Sequence, residues 1–184
     1  MKPALAPQDI ARQVQDARRG SQAAYAWLYR SFAPLVHAIH LGAVARARVD
    51  DLTQETFVLA FARLDQLREP ERFGPWIAMI ARRMRPAATV ETVAIGDCAD
   101  PPWGGVGPES MAQAGEALQA IRALPLAYRE TLILRLVEGL SGAEIAVLTG
   151  LTPQSVRVNL HRGMGRLREA LGIAQRQEEN NDGG

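Results

Sequence analysis

The chain has 184 residues, close to the usual ~100–200 per domain, so it holds one domain or two small ones. Its 47% hydrophobic content supports a real core and excludes global disorder, while 5% aromatics argue against an aromatic-rich β-sandwich or barrel. The formal net charge of +1 hides an uneven distribution: +5 over residues 1–88, −4 over 89–114, +2 over 115–172 and −2 over the tail.

Two basic blocks flanking an acidic connector suggest two polyanion-facing units joined by a segment with another task. Cys98 is the single cysteine, so an internal disulfide is excluded, and with three histidines it makes a poor zinc set. Asp9 and Arg12 precede any apolar run, which predicts no signal peptide, and the uncharged stretch from Ser31 to Ala45 is too short to cross a bilayer. A soluble protein of a reducing compartment is expected.

In chain order, an amphipathic helix is predicted over residues 8–19, closed by Gly20. Ser21 can cap the next helix, which reaches about Phe32 before Pro34 bends or restarts it. A helix from about Asp50 to Leu67 carries carboxylates at its positive end. It is apolar nearly all round from Phe57 to Ala62, as a helix central to a bundle would be. A fourth runs from Pro70 to about Arg85, where Pro86 stops it. Between Thr89 and Gly107 the helical periodicity is lost among Pro101, Pro102, Gly104, Gly105 and Gly107, the pattern of a flexible linker. Helices follow over residues 109–123, 126–138, 141–149 and 152–171. The fold class is all-α, in two small helical units: residues 1–88, a linker over 89–114, residues 115–175 and a polar tail over 176–184.

Residues 142–160 have the spacing of a helix-turn-helix. Ala146 is the small residue at the helix crossing, Gly150 suits the turn, and Ile145, Leu148, Leu151, Val156 and Leu160 form a small core. Thr152 followed by Pro153 is a strong helix start. The face opposite the stripe Val156, Leu160, Met164, Leu167 and Leu171 shows Thr152, Gln154, Ser155, Arg157, Val158, Asn159, His161, Arg162 and Arg166. A recognition helix places such polar residues at base edges and its cations at phosphates. Gln154, Arg157 and Asn159 have donor and acceptor types for base reading, and Arg162 and Arg166 suit backbone contacts. A helical hairpin with a polar outer face satisfies the spacing equally well.

The segment LPLAYRETLILRLVEGLSGAEIAVLTGLTPQSVRVNLHRGMGRLREAL, about 48 residues without a gap, resembles region 4 of bacterial sigma-70 family sigma factors, especially the extracytoplasmic-function (ECF) group. The N-terminal half resembles the same group's region 2. Asp50-Asp51-Leu52-Thr53-Gln54-Glu55-Thr56-Phe57 looks like the core-polymerase-binding helix, with Asp51, Gln54, Glu55 and Val58 on one face. Asp50 and Asp51 also serve the helix N-terminus, and the two roles are compatible. Phe73-Gly74-Pro75-Trp76-Ile77-Ala78-Met79-Ile80-Ala81-Arg82 resembles the segment that captures an unstacked base of the −10 element.

The resemblance implies a sigma factor that binds core RNA polymerase and promoter DNA, answers to an anti-sigma factor and works in the cytoplasm. The region 4-like unit would read the −35 element, and Trp76, Arg82, Arg83 and Arg85 would serve the −10 element. Trp76 suits either a core position or a stacking platform. The chain departs from the family pattern after Arg82, where Arg83-Met84-Arg85-Pro86 ends the helix and the basic run stops. Gly163 and Gly165 stand where helix formers are usual, which predicts a pliable end to the recognition helix. A self-sufficient helix-turn-helix regulator is the nearest rival, but the chain shows no heptad seam for a dimer. No nucleophile–base set, phosphate loop or metal motif suggests an enzyme, a cofactor, a small-molecule substrate or membrane insertion.

Overall fold

A computed structural model of the chain describes residues 5–84 and 108–172. Arg85, Pro86, the linker from Thr89 to Gly107 with Cys98, and the tail beyond Gly172 lie outside the described residues. Among the described residues there are eight α-helices and no strand.

The N-terminal unit holds α1 (Pro7–Arg18), α2 (Gln22–Leu41), α3 (Val49–Ala62) and α4 (Phe73–Arg83). In α1, Pro7 starts the helix and Ile10, Val14 and Ala17 bury one stripe. Ser21 caps α2 by accepting from the Ala24 N–H at 3.3 Å. Pro34 does not end or restart this helix near Phe32, one of the outcomes read from sequence; α2 runs through it for 20 residues. An interior proline costs about 3 kcal/mol. Leu28, Phe32, Leu35, Val36 and Ile39 flank it, all buried, and each contributes about 1.5–3 kcal/mol of burial. Tertiary burial therefore wins.

Helix α3 ends at Ala62, five residues before the expected Leu67, and gives way to a 3₁₀ turn over Leu64–Gln66. Leu64 and Leu67 are both buried, and Arg18 donates to the carbonyls of both. That guanidinium satisfies acceptors which a continued helix would have used internally. Nor is α3 central to a bundle: Thr53, Phe57 and Ala60 are buried, yet Val58 is 71% exposed. A second 3₁₀ turn, Pro70–Arg72, leads into α4.

The C-terminal unit holds α5 (Pro108–Ala123), α6 (Leu126–Leu136), α7 (Gly142–Thr149) and α8 (Pro153–Ala170). Helix α5 begins at Pro108, within the stretch assigned to the linker. The two units do not stand apart. Helices α2 and α4 lie against α6 and α7, and one contiguous cluster of buried side chains runs from Ile10 in α1 to Leu167 in α8.

Candidate nucleic-acid interface

The helix-turn-helix is fixed at each corner by local chemistry. Ser141 and Glu144 form a reciprocal capping box at the start of α7: the Glu144 N–H reaches Ser141 Oγ at 3.3 Å and the Ser141 N–H reaches Glu144 Oε2 at 2.8 Å. Gly150 ends α7 at φ +72°, a left-handed conformation that side chains other than glycine rarely adopt. Thr152 then caps α8, accepting from the Ser155 N–H at 3.1 Å, with Pro153 in the first helical position. Val156, Gly163 and Leu167 turn inward, and Ile145, Ala146 and Leu148 of α7 are buried.

That orientation leaves Thr152, Gln154, Arg157, His161, Arg162 and Arg166 exposed, with Ser155, Val158 and Asn159 half-buried along the same row. Thr152 and Ser155 are tied to one another, their hydroxyl oxygens 2.8 Å apart, so both serve the cap. The Arg166 guanidinium lies 5.6 Å from the centroid of the Tyr128 ring, a cation–π contact that anchors α8 on α6. Helix α8 continues unbroken through Gly163 and Gly165 to Ala170.

In the N-terminal unit, Asp51, Gln54, Glu55 and Val58 are all exposed along one side of α3. Asp50 and Asp51 lie in its first turn, where carboxylates offset the helix dipole. The half-exposed Tyr29 borders this side, its ring 4.7 Å from that of Phe57. The turn between α3 and α4 opens into a cleft of ≈ 320 Å³ lined by Gln66, Arg68, Glu69, Arg72 and Trp76. Trp76 is half-buried, its ring 5.8 Å from that of Phe73. It packs on the core on one side and lines the cleft on the other.

Arg82 and Arg83 part company. Arg83 is exposed at the end of α4. Arg82 turns toward α6, where Nε donates to Glu130 Oε1 at 3.0 Å and Nη2 donates to Oε2 at 2.6 Å. This is a bidentate fork, and Glu130 is only 5% exposed. The hydrogen bond raises the Arg82 pKa, burial lowers it and Coulombic attraction raises it further; the net shift is upward. A raised folded-state pKa contributes stability at every pH below the ordinary arginine range. On the arginine side, the pair therefore holds throughout neutral and alkaline conditions.

Further polar contacts bind the two units. Arg122 donates to the Leu41 and Val44 carbonyls at 3.0 and 2.7 Å, and Arg129 donates to the Gly42 carbonyl at 3.0 Å. Both guanidiniums thus satisfy acceptors at the negative end of α2. His37 Nδ1 meets Glu138 Oε1 at 2.6 Å. Sequence reasoning missed Glu130, Arg122 and Arg129 altogether. A signal existed in Glu130, a carboxylate within the apolar-periodic α6, but the sequence did not reveal its partner.

The capped turn, the inward apolar stripe of α8 and its exposed polar row define a helix-turn-helix protein with a second helical unit attached. Comparisons with known proteins carry this further. The Sigma-70 region 2 family model matches residues 28–84, and the Sigma-70, region 4 model matches residues 114–167. The RNA polymerase sigma factor CarQ of Myxococcus xanthus is 32% identical over 84% of this chain and 93% of its own length. The ECF RNA polymerase sigma factor SigW of Bacillus subtilis is 25% identical over 88% of this chain and 96% of its own.

A probable RNA polymerase sigma factor of Xanthomonas campestris pv. campestris, RfaY, is 33% identical over 86% of this chain, which spans 43% of that relative's length. Among solved structures, CnrH in complex with the cytosolic domain of CnrY shares the fold, with a TM-score of 0.55 and 24% identity over 89% of this chain and 97% of CnrH. The chain belongs to the sigma-70 family of RNA polymerase sigma factors, in its ECF group. Its work is promoter-specific transcription initiation.

Proposed function

We propose a division of labour among three surfaces. Residues 115–175 form the −35-reading unit: α8 enters the major groove, with Gln154, Arg157 and Asn159 at base edges. Arg162 and Arg166 lie at phosphates, and Thr152, Ser155, Val158 and His161 line the contact. Residues 1–88 form the unit that binds core polymerase and opens the −10 element. Asp51, Gln54, Glu55 and Val58 meet the polymerase. Trp76 and the cleft beside it receive an unstacked base, while Arg82, Arg83 and Arg85 neutralise the adjoining backbone.

The observation that carries this reading is the exposure pattern of α8. Val156 and Leu167 face the core, and the candidate −35 residues lie away from them, six of them exposed and Ser155, Val158 and Asn159 half-buried. The protein acts in the cytoplasm as a regulatory subunit and not as a catalyst. Among the described residues no helix is long and apolar enough to cross a membrane. CnrH, which shares the fold, is recorded in complex with the cytosolic domain of CnrY. An anti-sigma factor is the corresponding partner proposed for this chain.

Pull-down with core RNA polymerase followed by run-off transcription on genomic promoters tests the reading. Stable association and discrete transcripts that depend on the added chain are expected. Binding to duplex DNA without any association with core would favour a self-sufficient regulator instead.

A further inference from the structure

Several arginines that the fold holds in place give their N–H groups to an acceptor. Arg18, Arg122 and Arg129 donate to carbonyls, and Arg82 donates to the Glu130 carboxylate. Arg166 is held differently. Its guanidinium lies over the Tyr128 ring, 5.6 Å from the centroid, and among the described residues no carboxylate or carbonyl engages it. Packing explains the placement. Tyr128 stands in the first turn of α6 and is half-buried. Gly163 of α8 passes so close that an added Cβ would lie 3.2 Å from Tyr128 Cβ. Arg166, three residues beyond Gly163 on the same helix, therefore rises beside the ring.

A carboxylate and a ring hold a cation in different ways. The carboxylate takes the N–H fork and cancels the charge, the two properties through which an arginine binds phosphate. The ring attracts the cation through its quadrupole and carries no formal charge, so the attraction to phosphate stays in place. We propose that Tyr128 is a positioning residue for duplex binding: its ring holds the Arg166 guanidinium so that α8 brings an already ordered cation to the DNA backbone. This rests on the assignment of Arg166 to a phosphate made above. An arginine ordered in advance loses less rotamer freedom on binding than one that moves freely in solvent.

Two substitutions separate the ring from its bulk. Tyr128→Phe keeps the ring, Tyr128→Leu removes it, and both keep the Cβ beside Gly163. The full chain is titrated against a fluorescent duplex bearing the −35 element of a promoter found by run-off transcription, and against a scrambled duplex. Tyr128→Leu should lose about two- to tenfold in affinity, the range for one long side chain left to be ordered on binding. The loss should be equal on the two duplexes, because a phosphate contact carries no sequence information. Tyr128→Phe should bind like the parent. In an Arg166→Ala background, Tyr128→Leu should cost nothing further.

A ring that only supports the packing of α8 behaves otherwise. Its loss would shift the preference between the two duplexes, lower the melting temperature and persist in the Arg166→Ala background; that result would overturn the proposal. So would a Tyr128→Leu chain that binds like the parent while Arg166→Ala loses affinity and about one unit of salt slope. This second outcome leaves the phosphate assignment of Arg166 standing. Unchanged affinity and salt slope in Arg166→Ala would instead take Arg166 off the DNA backbone, and the assignment and the proposal would fall together.

Discussion

Replacing Gly163 or Gly165 with alanine separates helix propensity from helix seating on the same two turns of α8. Either change should contribute about 1 kcal/mol through propensity alone. At Gly165 an added Cβ meets nothing within 4 Å, so Gly165→Ala should realise that gain in full. At Gly163 the Cβ would lie 3.1 Å from Leu132 Cδ1, 3.2 Å from Leu132 Cγ and 3.2 Å from Tyr128 Cβ. Tyr128 Cβ is fixed by the α6 backbone, and Leu132, fully buried, has little room to change rotamer. Helix α8 cannot retreat easily either, because Val156 and Leu167 are buried on either side of the contact.

Overpacking of this kind costs about 1–3 kcal/mol. Against the propensity gain, Gly163→Ala should be destabilising by about 1 kcal/mol, leaving the two variants about 2 kcal/mol apart. At this chain length each kcal/mol moves Tm by about 2–4 °C. Thermal and urea melts followed by circular dichroism would resolve the difference. Equal stabilisation of both variants would mean that α8 is not seated on α6 at this distance, and the placement of its outward row would fall with it.

Other expectations concern the surfaces themselves. Glu55→Lys should weaken association with core polymerase while leaving stability within about 0.5 kcal/mol, since the residue is exposed; co-sedimentation and a thermal melt check the two halves. Arg157→Ala should cost about 1–3 kcal/mol of −35 affinity and relax preference at one position, whereas Arg162→Ala should weaken all sequences alike and lower the salt slope by about one. Parallel titrations on matched and mutated duplexes at several salt concentrations distinguish them. Arg82→Ala should cost about 2 kcal/mol of stability, less than a fully buried pair because Arg82 is 36% exposed, by stranding the Glu130 carboxylate. Arg83→Ala should stay within about 0.5 kcal/mol. Urea midpoints settle that contrast, and a stable Arg83→Ala variant is then the cleaner test of the proposed −10 role.

The helix-turn-helix was legible because each of its determinants is local. Ser141 with Glu144, Gly150, and Thr152 with Pro153 act within one turn of themselves, so their sequence spacing is their geometry. The exposed side of α3 was legible for the same reason, since four residues at helical spacing share a face whatever lies behind them. Pro34 was misread because its local cost is visible in sequence, whereas the burial of Phe32, Leu35 and Val36 that offsets it is not. The early end of α3 escaped notice for a related reason: the donor that replaces its helical hydrogen bonds, Arg18, lies 46 residues away from Leu64.

Separation in sequence governs the contacts between the units even more strongly. Glu130 is 48 residues from Arg82, and Glu138 is 101 residues from His37. Uneven charge along the chain suggested two units facing polyanions, which treats every arginine as available to nucleic acid. In the folded chain Arg18, Arg122 and Arg129 are directed at helix-end and turn carbonyls, and Arg82 at a carboxylate. A guanidinium fork suits phosphate, carboxylate and carbonyl oxygens alike, so composition alone does not say which acceptor it meets. Burial does distinguish them: the exposed cations Arg83, Arg157 and Arg162 keep their forks toward solvent. Two populations of arginine therefore share one sequence signature: Arg18, Arg82, Arg122 and Arg129 are directed at acceptors inside the fold, and Arg83, Arg157 and Arg162 present their charge to solvent.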